Sequence, residues 1–239
     1  MFPALVFALA AGLCFLGLTQ FTHLHPAAIA TPAPLVSPVD QRASVTLPLI
    51  QEFSPNQDDR PANETIDTLI IHDTESPGVS KAQTIANFFL NPSSQVSAHY
   101  IIGKDGEIIQ CVLDGKRAWH AGPSHYRGRT RVNDFSIGIE LVNAQTGKDP
   151  FTDAQYNSLI ALTADLMDRF PIRYDHITGH HNVSDYPTIK RDPAKNFSWQ
   201  RYLDGVRKFR TTYVVRREPL TPEAARGRLA SLILPPLKL

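Results

Sequence analysis

Apolar positions along this chain fall into short continuous runs separated by stretches with helical spacing. "TLIIH" is an apolar run ending at His72, and "FSIGIELV" is another, interrupted at Glu140. Runs this short, bounded by polar residues, read as buried strands. "HYIIGKDGEIIQCV" places two β-rich runs around Asp105-Gly106, which is a hairpin signal. In "SKAQTIANFF", Ser80 and Gln83 have capping-box spacing and predict a helix over residues 81–90. "TDAQYNSLIALTADLMDRF" repeats that spacing with Thr152 and Gln155, and its apolar residues recur at the helical period. A further short helix is expected over residues 199–209. Strands interleaved with helices, without an internal repeat, predict an α/β domain with a central mixed β-sheet flanked by helices.

The ends of the chain read differently. No Asp, Glu, Lys or Arg precedes Asp40, and residues 2–18 form an apolar run of export-signal length. Ala28 and Ala30 form a small-x-small site, so residues 1–30 are expected to be a signal peptide cut after Ala30. A retained membrane anchor is the alternative, because no Lys or Arg precedes the run. Either way the protein is expected to be exported, to the periplasm or cell envelope. Residues 31–62 carry six prolines and read as a linker or wrapping arm. The domain itself is expected over residues 63–209, followed by a basic tail over 210–239. From Lys190 onward there are twelve Lys/Arg against four Asp/Glu, which suits a solvated helix face or an anionic surface.

Composition narrows the class. Among 239 residues, 42% are hydrophobic and 20% charged, as in folded globular proteins. A formal charge of +1 provides no global field for nucleic acid. Cys14 lies inside the export segment, which leaves Cys111 without an intrachain partner in the mature chain. Cys111 is expected to be a buried apolar residue.

The chemistry gathers in "ITGHHNVSDYPTIKRDP". His180 and Asp192 would supply one nitrogen and one oxygen from a single loop, and His72, at the end of a strand, could supply a third ligand. Two histidines, a carboxylate and an open position for water make the donor set of a catalytic zinc site. Polar loop residues without a metal are the competing reading, and His181 competes with His180. Glu140 is out of place in an apolar strand. It is either solvated at the strand end or a general base that activates the water. Lys190 could then stabilise the oxyanion formed on a carbonyl.

Several of these segments resemble the zinc-dependent N-acetylmuramoyl-L-alanine amidases, whose fold is shared with phage amidases and peptidoglycan recognition proteins. They are "VSAHYIIGKDGEI", "RAWHAGPSHYRGRTRVNDFSIGIELVN", "FTDAQY", "ITGH" and "KRDP", spanning roughly residues 62 to 205. The resemblance implies cleavage of the amide between N-acetylmuramic acid and L-alanine in peptidoglycan or muropeptides, with one zinc ion per chain. It implies His72, His180 and Asp192 as ligands, Glu140 and Lys190 as catalytic residues, and Arg131 as a contact for the stem-peptide carboxylate. Trp119 and His120 are expected to line the substrate cleft, with core packing the alternative for Trp119 and a hydrogen-bonded structural role the alternative for His120. Two departures stand out. Asp192 comes twelve positions after His180 where the family usually has ten, and Ala194 replaces the glycine after Asp-Pro. A non-catalytic peptidoglycan-binding module on the same fold is the alternative, but every ligand and catalytic position is filled. A zinc peptidase of the His-Glu-x-x-His type is excluded by the absence of that motif.

Overall fold

The computed structural model describes residues 40–226. The expected signal peptide and the first part of the expected linker lie outside the described residues. The strands are β1 (Ala43–Gln51), β2 (Gln57–Asp59), β3 (Thr68–Asp73), β4 (Tyr100–Ile102), β5 (Ile108–Gln110), β6 (Lys116–Ala118), β7 (His125–Tyr126), β8 (Arg129–Thr130), β9 (Ser136–Leu141), β10 (Ile177–Gly179) and β11 (Tyr213–Leu220). The helices are α1 (Ala82–Phe89), α2 (Asp153–Arg169), α3 (Trp199–Thr212) and α4 (Pro222–Arg226).

Seven strands form the central sheet in the order β10-β3-β9-β4-β5-β1-β11. Every neighbouring pair is parallel except the β4–β5 hairpin. Gly106 closes that hairpin at φ +88°, and a Cβ there would meet Ala154 O at 2.9 Å, so the turn needs glycine on both counts.

The two-residue period of a strand divides each one between two layers. Leu69 and Ile71 of β3, with Ile137, Ile139 and Leu141 of β9, pack with Leu159, Leu162 and Leu166 of α2 and Val206 and Phe209 of α3. On the opposite face Ile101 and Ile109 pack with Ala82, Ile85 and Phe89 of α1. Cys111 is fully buried in that second cluster, as expected of a small apolar residue. Each fully buried Leu or Ile contributes roughly 1.5–3 kcal/mol, so these two layers hold the sheet.

Helix α2 begins with the expected capping box, Thr152 accepting from Gln155 N and Gln155 reaching back to Thr152 N. Helix α1 differs from expectation. Its N-cap is Lys81, which makes no side-chain cap bond. Ala82 N instead donates to Glu107 Oε1 at 3.1 Å, and Gln83 bonds Glu52 and Asn87. The hairpin's carboxylate caps the helix in place of Ser80.

The sheet also extends beyond the expected boundaries at 63 and 209. Strand β1, within the expected linker, and β11, within the expected tail, pair in parallel from Ala43↔Tyr213 to Ile50↔Leu220. Leu47 and Leu49 of β1 enter the main core, which accounts for this strand being ordered. Helix α3 likewise runs to Thr212 rather than 209.

Candidate metal and catalytic site

Sheet register alone brings the first two site residues together. His72 on β3 is directly paired with Glu140 on β9. Both lie on the face away from α2, because Ile71, Ile139 and Leu141 occupy the other. Next to β3 runs β10, with Gly179↔Ile71, so the chain delivers His180 beside His72, their ring centroids 4.5 Å apart.

The loop that follows returns Asp192 to the same place. Asp192 Oδ2 is 2.9 Å from His72 Nδ1, and His180 Nδ1 is 3.1 Å from both carboxylate oxygens. All three residues are buried, and their potential ligand atoms lie within 4.8 Å of one another. His181 is not part of this group, because its Nδ1 faces the backbone Asp192 O at 3.0 Å.

The donor set suits a cation. His180 Nε2 lies 3.3 Å from Ala121 O, a carbonyl that can only accept, so that nitrogen carries the proton. Its Nδ1 is therefore bare and faces a carboxylate, and two acceptors in contact repel unless positive charge lies between them. Burial pushes His72 down to about 4, so it is neutral at pH 7. Burial alone would raise the Asp192 carboxyl, but positive charge at the two imidazole nitrogens that face it outweighs burial and holds Asp192 below the usual carboxylate range. Neutral imidazole and ionised carboxylate are the forms that bind zinc.

Glu140 has one oxygen, Oε2, that is buried without a hydrogen-bond partner. Burial, and then the charges of Asp192 and Asp73, push its carboxyl well above the ordinary value. Such a group is a strong proton acceptor when ionised. A cleft of about 500 Å³ is lined by His72, Glu140, His180, Lys190 and Asp192, with Trp119 and His120 beside them. Trp119 is held by a 2.7 Å bond from Nε1 to Asp58 Oδ2.

The longer loop does not carry Lys190 away. Val183 N and Ser184 N donate to His180 O, while Asp185 N donates to Pro123 O and His125 N to Val183 O. Lys190 N then donates to Tyr186 O at 3.0 Å, so the extra length is taken up as a pinned turn. Ala194 also fits where the family pattern has glycine, its N–H donating to Asp73 Oδ2 at 2.6 Å.

One expected residue is not brought to the site. Arg131 lies outside the cleft lining. Its Nε is 3.0 Å from Asp134 Oδ2 and its side chain is 67% exposed, so that ion pair engages it at the surface. Conversely, Asp73 went unnoticed in the sequence. It is buried, faces the loop of Asp192 through Ala194, and is pushed up to about 7, chiefly by burial. An acidic residue closing the apolar run "TLIIHD" was the available signal.

Known proteins agree with this geometry. Residues 62–195 match the family model described as N-acetylmuramoyl-L-alanine amidase. The chain is 42% identical over 163 residues to the 1,6-anhydro-N-acetylmuramyl-L-alanine amidase AmpD of Citrobacter freundii, covering 62% of this chain and 85% of that one. It is 36% identical over 151 residues to the N-acetylmuramoyl-L-alanine amidase AmiD of Escherichia coli K12, covering 57% and 51%. A crystal structure of an AmpD selenomethionine derivative superposes with a TM-score of 0.59 at 39% identity, covering 66% of this chain and 94% of that one. The E. coli AmiD complex with anhydro-N-acetylmuramic acid-L-Ala-D-γ-Glu-L-Lys gives a TM-score of 0.51 at 27% identity, covering 75% and 77%. With the mixed sheet, the buried His-His-Asp group and the matched segments agreeing, this chain belongs to the N-acetylmuramoyl-L-alanine amidase family of enzymes.

Proposed function

We propose that this protein is a zinc-dependent amidase of the cell envelope that hydrolyses muropeptides, cutting the amide between the lactyl group of N-acetylmuramic acid and L-alanine. The observation that carries the zinc assignment is the buried group His72, His180 and Asp192, in which bare imidazole nitrogen faces carboxylate. A zinc ion held there would supply Lewis acidity to water and to the scissile carbonyl. Glu140, with its unpartnered oxygen, takes the proton of the attacking water. As the new C–O bond forms, negative charge develops on the carbonyl oxygen, and the Lys190 ammonium in the same cleft stabilises it. Glu140 then returns its proton to the departing nitrogen. The C–N bond breaks to a lactyl carboxylate and the free amine of L-alanine. Trp119 forms a wall of the cleft against the substrate.

AmpD relatives are named for anhydro-muramyl substrates, and AmiD is seen bound to one. That chemistry supports soluble anhydro-muropeptides as a substrate class here. The export-signal pattern of residues 1–30 supports action in the periplasm or cell envelope.

Digestion of an anhydro-muropeptide and of purified peptidoglycan, with mass spectrometry of the products, tests the reading. The expected products are the free stem peptide and the muramyl acid. Activity should vanish with chelator and return with about one zinc per chain. Binding without cleavage by the zinc-loaded protein would favour the non-catalytic module. Undiminished cleavage after complete metal removal would rule out the metal assignment.

A further inference from the structure

Three hydrogen bonds in series connect His72 to a peptide carbonyl. Ser136 Oγ donates to Val132 O at 2.6 Å. A carbonyl has no proton to give, so the direction of this bond is fixed. Ser136 then presents only lone pairs to His120 Nε2, 3.3 Å away, and that nitrogen must carry the ring proton. A neutral imidazole has one such proton, so His120 Nδ1 is bare. It lies 3.1 Å from His72 Nε2, which therefore donates to it. His72 is left with a bare Nδ1, the atom 2.9 Å from Asp192 Oδ2.

We infer that His120 is a positioning residue for the metal centre, fixing His72, with the help of Ser136, in the tautomer that offers Nδ1 as ligand. This rests on the metal site proposed above. His120 is itself firmly seated. The N–H groups of His120 and Ala121 both donate to Asn133 Oδ1, at 3.2 and 2.8 Å. Its ring lies against Gly138, where a Cβ would stand 2.5 Å from His120 Cγ, so this strand position has to be glycine. His180 has a simpler arrangement, its Nε2 donating directly to Ala121 O. Metal-binding histidines are usually oriented through the second ring nitrogen. For His72 that partner is another imidazole, and its own proton must be placed by Ser136 before it can serve. Both ring nitrogens of His120 are thereby engaged by protein, the hydrogen-bonded role weighed for it from the sequence, while its ring still borders the cleft.

Full-length wild-type protein, His120→Phe, His120→Asn and Ser136→Ala separate the possibilities. Zinc affinity is read by competition with a chromogenic chelator. The His72 tautomer is read in the zinc-free proteins from long-range ¹H–¹⁵N correlations. His120→Phe keeps the packing on Gly138 but removes the acceptor. It should weaken zinc binding by about 10–100-fold and let His72 populate both tautomers. His120→Asn, whose Oδ1 can accept from His72 Nε2, should restore most of both signals. Ser136→Ala should give a smaller loss of the same kind, and it carries the test if His120→Phe fails to fold. An affinity within about twofold of wild type, far inside the 10–100-fold range, with His72 still protonated on Nε2, would overturn the inference. A raised KM with unchanged zinc affinity would overturn it in favour of substrate contact. Wild-type protein that binds no zinc would remove the metal site itself, an outcome recognisable before any variant is made.

Discussion

Glu140 and Lys190 sit in the same cleft, yet removing each should leave a different signature. Glu140→Gln preserves shape and takes away the base, so kcat should fall by about 10²–10⁴-fold with zinc content intact. In the proposed mechanism Lys190→Met removes the cation that faces the oxyanion, and it should lower kcat by about 10²–10³-fold with little change in KM. Zinc content measured beside the kinetics checks both, and loss of metal from either variant would contradict the roles. His99 makes a prediction about stability instead. It accepts from Gly138 N through Nδ1, 3.0 Å, and its Nε2 lies 3.1 Å from Lys116 O. Burial, then the Arg60 charge, push it down to about 3. Its folded value lies below the unfolded one, so the unfolded chain takes the proton first. The stability it contributes is complete above about pH 6.5 and is lost as pH falls toward 3, at up to ~1.4 kcal/mol per pH unit. Urea midpoints of wild type and His99→Gln should therefore converge on acidification from pH 7 to pH 5. Parallel curves would show that His99 does not titrate in this way. At this scale the sequence was most informative where a residue broke its local pattern. Glu140 stood out against an apolar strand, whereas the pairing of His120 with Ser136 depends on contacts between residues sixteen apart and left no such trace.

At the scale of elements, the two edge segments behaved unlike their composition. Pro48 in "ASVTLPLIQ" argues against a strand, since proline has no N–H to donate. Yet β1 meets β5 only at Ile50 and Gln51, so at Pro48 it has a neighbour on one side, β11, and the missing donor is tolerated. "YVVRREPL" reads as a basic tail because its charges interrupt any apolar alternation. The structure shows where one of them goes: Arg217 reaches Asp165 Oδ2 at 2.6 Å and Asp114 Oδ2 at 3.2 Å, alongside Arg169. Both carboxylates are nearly buried, so they depend on their cations. Arg217→Met should destabilise the fold by about 2–4 kcal/mol, less than a fully buried pair because Arg169 remains. Chemical denaturation measures this, and a loss below ~0.5 kcal/mol would class the contact with ordinary surface pairs. Helix α2, by contrast, carried its period and both halves of its capping box in local sequence, and it appears as expected.

For the whole molecule, the alternation of strands and helices was enough to read an α/β domain with a mixed sheet, because periodicity is set residue by residue. Its boundaries were not legible, because they depend on which distant segment covers an exposed edge. The family-matched residues 62–195 omit β1, α3 and β11, and with them Leu47, Leu49, Tyr202, Val206 and Phe209 of the main core. A fragment limited to residues 62–195 should therefore be poorly soluble or lack a cooperative thermal transition, whereas residues 41–226 should unfold in one step. Calorimetry of the two fragments compares them directly, and cooperative unfolding of the shorter one would show that the flanks are accessory. The β1–β11 ladder also has a consequence in time. Ala43 is made well before its partner Tyr213. A parallel pair so far apart in sequence closes a very long loop, a slow step compared with forming hairpins or helices. Until then β1 is held by only two residues of β5. The newborn chain thus passes through a period with an unfinished sheet edge, open to self-association or to a chaperone, that ends only when β11 arrives.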